Sequence, residues 1–247
     1  MLRSVNLEYC SFTAIGGRQE NQDRVLMLQD STQGVHLFAV ADGVGGHPHG
    51  AEAAQACMGA ITEYWQRANA LPVAPDGIEQ LVAHCQRSVR ALAEPDADDH
   101  WPPQTTLALL VVSATGVWSG HVGDSRILHY AETGLQARTL DHSVTEMKVQ
   151  AGEINERQAL RDPDLNLLTR ALGSPVSPRP SLKQWYPVSG DLIFLASDGA
   201  WSLLKDSDYR ELLAAGDLRY SVNAMLHAKL QRAALDHDNS TIVLVRF

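Results

Sequence analysis

Residues 37–43, LFAVADG, form an apolar run that ends in an aspartate followed by glycine. Two other stretches repeat this pattern: WSGHVGD at 118–124, where the glycine precedes the aspartate, and LIFLASDG at 192–199. A short apolar run that stops at a turn signal is typical of a buried β-strand. We therefore predict three core strands, each followed directly by a carboxylate.

A fourth carboxylate, Asp238 in DHDNSTIVLV, stands immediately before another apolar run. In an antiparallel sheet the start of one strand lies beside the end of its neighbour, so Asp42, Asp124, Asp198 and Asp238 can meet at one rim. A single Asp-Gly pair is usually only a turn, and the inference depends on four carboxylates sharing one placement. Because converging carboxylates repel unless cations lie among them, the pattern predicts a metal site.

The ligand chemistry points to hard divalent cations. Oxygen ligands without thiolates suit Mg²⁺ or Mn²⁺. The three cysteines, Cys10, Cys57 and Cys85, contain no CxxC spacing, which argues against a thiolate zinc site or a disulfide framework. A carboxylate bridging two ions about 3.5 to 4 Å apart would leave a shared water of lowered pKa, the natural nucleophile. Gly43 can offer its carbonyl oxygen because it has no side chain to obstruct a metal.

The segment GGRQENQDR at 16–24 supplies Arg18 and Asp23 at the junction of the first two predicted strands. An arginine guanidinium holds phosphate oxygens through two hydrogen bonds and keeps its charge at all relevant pH values. Together with the acidic rim, Arg18 predicts a phosphate-bearing ligand.

The remaining pattern favours an α+β fold in which two packed antiparallel sheets are flanked by helices. Strands precede, separate and follow the helices without strict βαβ alternation. Amphipathic helices are predicted at 51–67, 78–92, 206–215 and 219–234. Residues 143–174 are polar and irregular, and we interpret them as an inserted segment, called the flap below. Residues 1–247 are expected to form a single catalytic domain containing it.

Composition excludes several classes of protein. The chain has 247 residues and a net charge of −9, from 20 Lys and Arg against 29 Asp and Glu, which argues against nucleic-acid binding. The longest purely apolar run, Leu107–Val112, is too short to cross a membrane. The amino terminus, MLRSVNLEYC, lacks the apolar stretch of a secretory signal. We expect a cytoplasmic monomer.

Six ordered segments, GGRQENQD, ADGVGG, VGDSR, LTRALG, SDG and DNST, resemble the metal-dependent protein phosphatases of type 2C, in particular their bacterial branch. The resemblance spans residues 16–241. It implies an αββα sandwich that hydrolyses phosphoserine and phosphothreonine with two Mn²⁺ or Mg²⁺ ions and a weaker third.

The resemblance also assigns roles to the rim. Asp42 would bridge two metal ions, and the Gly43 carbonyl would bind the first of them. Asp198 and Asp238 would bind the second. Asp124, with Asp198, would belong to the weaker third site.

Three further residues receive roles from the same resemblance. Arg18 would grip the phosphate, Asp23 would act through metal-bound waters, and Asn239 would support the rim by hydrogen bonding. Residues 143–168 correspond to the segment that in bacterial members lies over the site and varies with substrate.

One departure concerns the proton donor. Eukaryotic members often carry a histidine directly after the Asp-Gly pair, whereas this chain has Val44. His47 and His49 lie close by, but such loop histidines are more often structural. The general acid stays unassigned.

The functional prediction is a protein serine/threonine phosphatase that reverses a bacterial Ser/Thr kinase, in a class that includes phosphatases of type VI secretion. A cysteine-based phosphatase is excluded because no cysteine has an arginine six positions later. A two-metal nuclease is disfavoured by the overall acidity. The alternative from another class is an inactive, phosphatase-like sensor of phosphorylated partners.

Overall fold

The computed structural model describes residues 7–44, 49–67, 71–93 and 102–247. Ten strands in these ranges form two five-stranded sheets, and every adjacent pair is antiparallel. The strands are β1 (Glu8–Ala14), β2 (Asp23–Asp30), β3 (Val35–Asp42), β4 (Leu107–Ser113), β5 (Gly116–Val122), β6 (Arg126–Ala131), β7 (Gly134–Arg138), β8 (Ser181–Trp185), β9 (Leu192–Ala196) and β10 (Ser240–Arg246).

The first sheet has the order β1-β10-β9-β6-β7, and the second has the order β2-β3-β4-β5-β8. Strand β3 shows how the two sheets pack. Leu37 and Ala39 belong to the core beneath the helices, whereas Phe38 and Val40 belong to the core between the sheets. Because side chains alternate between the faces of a strand, a strand covered on both faces is apolar throughout.

Helices cover the outer faces of both sheets, so the α+β sandwich predicted from the sequence is confirmed. The helices are α1 (Gly50–Arg67), α2 (Pro75–Arg90), α3 (Val144–Gln150), α4 (Glu156–Ala159), α5 (Asp198–Trp201), α6 (Asp206–Leu213) and α7 (Leu218–Leu230). Helices α1 and α2 pack on the second sheet, and α5, α6 and α7 pack on the first. The thiols of Cys10, Cys57 and Cys85 are free and buried in these cores.

The flap is more ordered than the sequence indicated, and the expectation of an irregular segment is corrected. It contains α3 and α4. The Ser143 side chain accepts a hydrogen bond from the Glu146 amide, 3.2 Å away, and so caps α3. Asn155 and Gln158 form a capping box for α4. Helices of seven and four residues span too few turns for hydrophobic periodicity to mark them.

Strand β7, Gly134–Arg138, also went unpredicted. It is the edge strand of the first sheet, and only Gly134 of its five residues is buried, so it lacks the buried apolar run that marks the core strands. None of the helices within the described ranges combines the length and hydrophobicity that a bilayer-spanning segment requires.

Candidate metal centre

Both sheets contribute acidic residues to one rim, where they line a cleft of about 280 Å³. Asp42 ends β3, and Asp124 lies in the turn after β5. Asp198 begins α5 directly after β9, and Asp238 stands two residues before β10. The residues lining the cleft are Arg18, Asp42, Gly43, Val44, Thr106, Asp124, Asn166, Leu168, Asp198 and Asp238. The four strand-end carboxylates therefore share one cleft.

Asp23, a predicted site residue, is buried and is not among the residues that line this cleft. It begins β2 and is the cross-strand partner of Asp42. Its Oδ2 accepts a hydrogen bond from the Ser197 hydroxyl at 2.8 Å, and its buried Oδ1 has no hydrogen-bond partner among the described residues. Burial raises the pKa of Asp23 to about 7, against the hydrogen bond from Ser197. Asp23 is therefore a buried neighbour of Asp42, and its part in catalysis stays a prediction.

The rim carboxylates are unfavourable to one another as anions. Burial, followed by the charges of Asp23 and Asp198, raises the pKa of Asp42 well above its usual range. The pKa of Asp124 is raised by burial and by Asp198, and that of Asp198 by burial and by Asp238. A divalent cation in the cleft would stabilise these carboxylates in their ionised form.

Arg18 reaches the rim from the connection between β1 and β2. Its Nη2 donates a hydrogen bond to Asp238 Oδ2 at 2.7 Å. Asn239 shapes this connection: its Oδ1 accepts from the Gln22 amide at 2.8 Å, and its Nδ2 donates to the carbonyl of Ile15 at 2.7 Å. These bonds join the segment before β10 to the connection between β1 and β2. That Asn239 supports the rim stays a prediction.

Gly43 is required for packing. A Cβ at this position would lie 2.3 Å from the carbonyl oxygen of Gly50, the first residue of α1. The sequence suggested instead that Gly43 keeps its carbonyl accessible. The close approach of α1 is a separate reason for a glycine here.

The chemistry of this cleft fits a hydrated divalent cation. Asp198 Oδ1 is buried, and no hydrogen bond from the described residues reaches it, so this oxygen lacks a partner that a cation would supply. Within the described ranges, no three His, Cys, Asp or Glu side chains are arranged to hold an ion on their own. Asp238 is instead engaged by Arg18. Mg²⁺ and Mn²⁺ suit such a site because Mg²⁺ retains several waters and both prefer oxygen ligands.

The sequence did not identify every residue of the cleft. Thr106 lines it, and the Thr106 hydroxyl accepts a hydrogen bond from the Asp42 amide at 3.0 Å. Asn166 and Leu168 enter from the flap. No short motif marks such residues, because their role follows from the path of the chain in space.

No histidine is among the described residues that line the cleft. His49 lies just before α1, where its Nδ1 is 3.8 Å from Glu52 Oε1, and His47 falls outside the described residues.

The profile of the family described as protein phosphatase 2C matches residues 13–233. Among solved structures, a Streptococcus agalactiae serine/threonine phosphatase is 27% identical with a TM-score of 0.86, covering 97% of this chain and 99% of that one. The catalytic domain of PstP, in complex with two manganese ions, is 25% identical with a TM-score of 0.79, and 97% of each chain is covered. PppA, described as a key regulatory component of T6SS in Pseudomonas aeruginosa, is 26% identical with a TM-score of 0.77, again with 97% of each chain covered.

Proposed function

We propose that the acidic cleft is the active site of this chain. The chain belongs to the protein phosphatase 2C family and is a metal-dependent serine/threonine phosphatase of bacterial type. One observation carries this proposal: Asp42, Asp124, Asp198 and Asp238 line a single cleft together with the Arg18 guanidinium. Carboxylates beside an arginine provide for both a cation and a phosphate.

Four residues would hold two divalent ions, for which Mn²⁺ is the ion of the family. Asp42 and the Gly43 carbonyl would bind the first ion, and Asp42, Asp198 and Asp238 would bind the second. When bound, such ions supply positive charge at the phosphate and a water of lowered pKa. Asp124, with Asp198, would hold a weaker third ion.

The reaction is a hydrolysis in which water attacks phosphorus in line. The oxygen–phosphorus bond to water forms, the bond to the serine or threonine oxygen breaks, and inorganic phosphate is released. Arg18 would hold two phosphate oxygens and stabilise their developing charge. Asp23 would orient water through its unpaired Oδ1. A phosphoenzyme is not expected, because in this scheme water, and not a side chain, attacks phosphorus.

The substrates are phosphorylated proteins, and the flap is suited to select among them. Asn166 and Leu168 are the flap residues that line the cleft, so they would meet the polypeptide that carries the phosphate. The phosphatase would act as a monomer and reverse the phosphorylation carried out by a cognate bacterial Ser/Thr kinase. The likeness to PppA supports, as one instance, a place in type VI secretion control.

The test is hydrolysis of a phosphothreonine peptide by the purified chain, with phosphate release followed in Mn²⁺ and in excess EDTA. We expect turnover in Mn²⁺ and none in excess EDTA. After acid quench, the protein should carry no covalent phosphate. Peptide binding without turnover in Mn²⁺ would instead indicate a phosphate sensor. Phosphoproteomics of a deletion strain, compared with strains lacking single kinases, would identify the opposing kinase.

A further inference from the structure

The turn that carries Asp124 is held from both sides by side chains that do not enter the cleft. On one side the Gly123 amide donates a hydrogen bond to His142 Nδ1 at 3.2 Å. On the other side Trp201 Nε1 donates to the Asp124 carbonyl oxygen at 3.0 Å. The His142 amide also donates to the Gly123 carbonyl at 2.8 Å, so His142 contacts both polar groups of Gly123.

The backbone of this turn determines where the Asp124 carboxylate lies. Gly123 has a φ of +99°, in a region that side-chain-bearing residues rarely adopt. A Cβ there would also lie 2.6 Å from Thr106 Cγ2. Since the aspartate follows directly, a change in the Gly123 peptide would move the Asp124 side chain.

Arg126 holds the Trp201 ring in position for its hydrogen bond to Asp124. The Arg126 guanidinium carbon lies 3.5 Å from the centre of the Trp201 ring. Arg126 binds both oxygens of Asp141, with Nε–Oδ1 and Nη2–Oδ2 distances of 2.9 and 2.7 Å. Trp201 ends the short helix α5 that Asp198 begins, so its indole N–H links that helix to the Asp124 turn.

The hydrogen bonds define the tautomer of His142. Because Nδ1 accepts from the Gly123 amide, we assign the proton to Nε2, which then donates to Ser181 Oγ at 2.8 Å and also lies 3.4 Å from Arg170 Nη1. This tautomer leaves no free ring nitrogen to act as a base toward Ser181, which excludes a serine–histidine nucleophile here. The ring is 8% exposed and serves to hold backbone.

His142 also stands at the base of the flap. Its carbonyl oxygen accepts a hydrogen bond from the Thr169 amide at 2.8 Å, and the Val144 amide donates to the Leu167 carbonyl at 2.9 Å. These bonds join the start of the flap to residues 167–169, and Leu168 lines the cleft. One residue therefore connects the flap base to the Asp124 turn.

We propose that His142 is a positioning residue that holds the Gly123–Asp124 turn from the base of the flap and thereby sets the affinity of the cation site that includes Asp124. The inference rests on the proposed function, because it requires that Asp124 bind a cation. It assigns His142 no contact with substrate. Outer-shell partners of this kind typically contribute about 10- to 100-fold to metal affinity.

The test compares His142→Asn with His142→Gln. Asparagine places an oxygen close to the position of Nδ1 and can still accept from the Gly123 amide, whereas the acceptor of glutamine lies farther out. Ser181→Ala removes the hydrogen bond between Nε2 and Ser181 and leaves the Nδ1 contact in place. Isothermal titration with Mn²⁺ alone is performed on each variant, on wild type and on Asp124→Asn. The binding step that Asp124→Asn abolishes identifies the site to be followed.

We expect His142→Gln to weaken that step about 10- to 100-fold, while His142→Asn and Ser181→Ala stay close to wild type. The metal-free melting temperatures of the two His142 variants should be similar. Equal Mn²⁺ affinity in both variants would overturn the inference. So would a wild-type isotherm in which Asp124→Asn removes no step, even with Mn²⁺-dependent turnover intact. Absence of any Mn²⁺ binding by wild type would instead overturn the proposed function.

A second pair of variants tests the clamp independently of the histidine. Trp201→Phe removes the indole N–H that bonds Asp124 and keeps an aromatic ring beside Arg126. Trp185→Phe removes an equally buried indole bond, to Ser119 Oγ at 2.8 Å, away from the cleft. Only Trp201→Phe should weaken the Asp124 step. An equal effect of both would indicate a general loss of packing and overturn the inference.

Discussion

Arg18 Nη2 lies 2.7 Å from Asp238 Oδ2, so the guanidinium that we propose binds phosphate is paired with a carboxylate that we propose binds a cation. The two side chains are 46% and 37% exposed. Exposed ion pairs contribute about 0 to 1 kcal/mol, so phosphate and cation can displace this contact at little cost. The ion pair therefore keeps Arg18 at the rim, and the guanidinium can exchange Asp238 for a phosphate group.

Replacement of Arg18 by alanine should chiefly raise KM for a phosphopeptide. A hydrogen bond to a charged group contributes about 1.5 to 3 kcal/mol, which corresponds to roughly a 10- to 150-fold increase. Steady-state kinetics in Mn²⁺ measures this. Arg67→Ala, which removes an exposed arginine from α1, is the control and should leave KM unchanged. An unaltered KM in Arg18→Ala would exclude the phosphate clamp.

Asp198→Asn should abolish Mn²⁺-dependent turnover and leave the fold intact. The metal-free melting temperature should stay the same or rise, because one buried negative charge is removed from beside Asp238. The increase in melting temperature on adding Mn²⁺ should be lost. Scanning calorimetry with and without Mn²⁺ tests both effects.

Asp191→Asn supplies the matched control for a buried carboxylate. Asp191 accepts hydrogen bonds from His129 Nε2 at 2.7 Å and from the Val188 amide at 3.0 Å, away from the cleft. Its replacement should lower the melting temperature and preserve the Mn²⁺-induced increase. Wild-type turnover in Asp198→Asn would contradict the metal assignment.

Gly43→Ala should destabilise the protein, because the added methyl group would lie 2.3 Å from the Gly50 carbonyl oxygen. Overpacking of this kind costs about 1 to 3 kcal/mol. Gly59 lies in the exposed middle of α1 with nothing near an added Cβ, so Gly59→Ala should stabilise by about 0.5 to 1 kcal/mol. Urea unfolding of both variants measures the contrast, and the same sign in both would refute it.

His121 should make the protein sensitive to acid. Burial lowers the pKa of His121 to about 3 from its usual 6.5, and the neighbouring charges of His142, Arg126 and Arg170 act in the same direction. Between about pH 6.5 and 3, His121 therefore binds a proton in the unfolded chain and does not bind one in the folded chain. Stability from this group is complete above pH 6.5 and is lost as the pH falls toward 3.

His121→Leu should remove that dependence. Between pH 7.5 and 5.5 the wild type should lose about 1.4 kcal/mol of unfolding free energy relative to the variant. Urea unfolding in EDTA at both pH values measures the difference, and EDTA keeps cation binding from contributing. Parallel pH dependence in the two proteins would show that His121 does not titrate as expected.

Part of the fold can be predicted from single segments of the sequence. The apolar runs within residues 37–43 and 192–199 predict buried strands, because a strand covered on both faces needs apolar side chains at every position. The turn after each strand likewise explains an aspartate beside a glycine. The flap helices α3 and α4 and the edge strand β7 were not predicted, because each is short and its apolar residues form no clear periodic pattern.

The sequence by itself determined the layered sandwich and the placement of its acidic residues at strand ends, since both follow from local hydrophobicity and turn chemistry. Only the tertiary structure decided which groups meet: Asp23 beside Asp42, Arg18 on Asp238, and Trp201 on the Asp124 carbonyl. Those partners are separated along the chain, and their contacts depend on strand register and sheet packing. No local pattern encodes such contacts, because a side chain's partner is set by the whole fold.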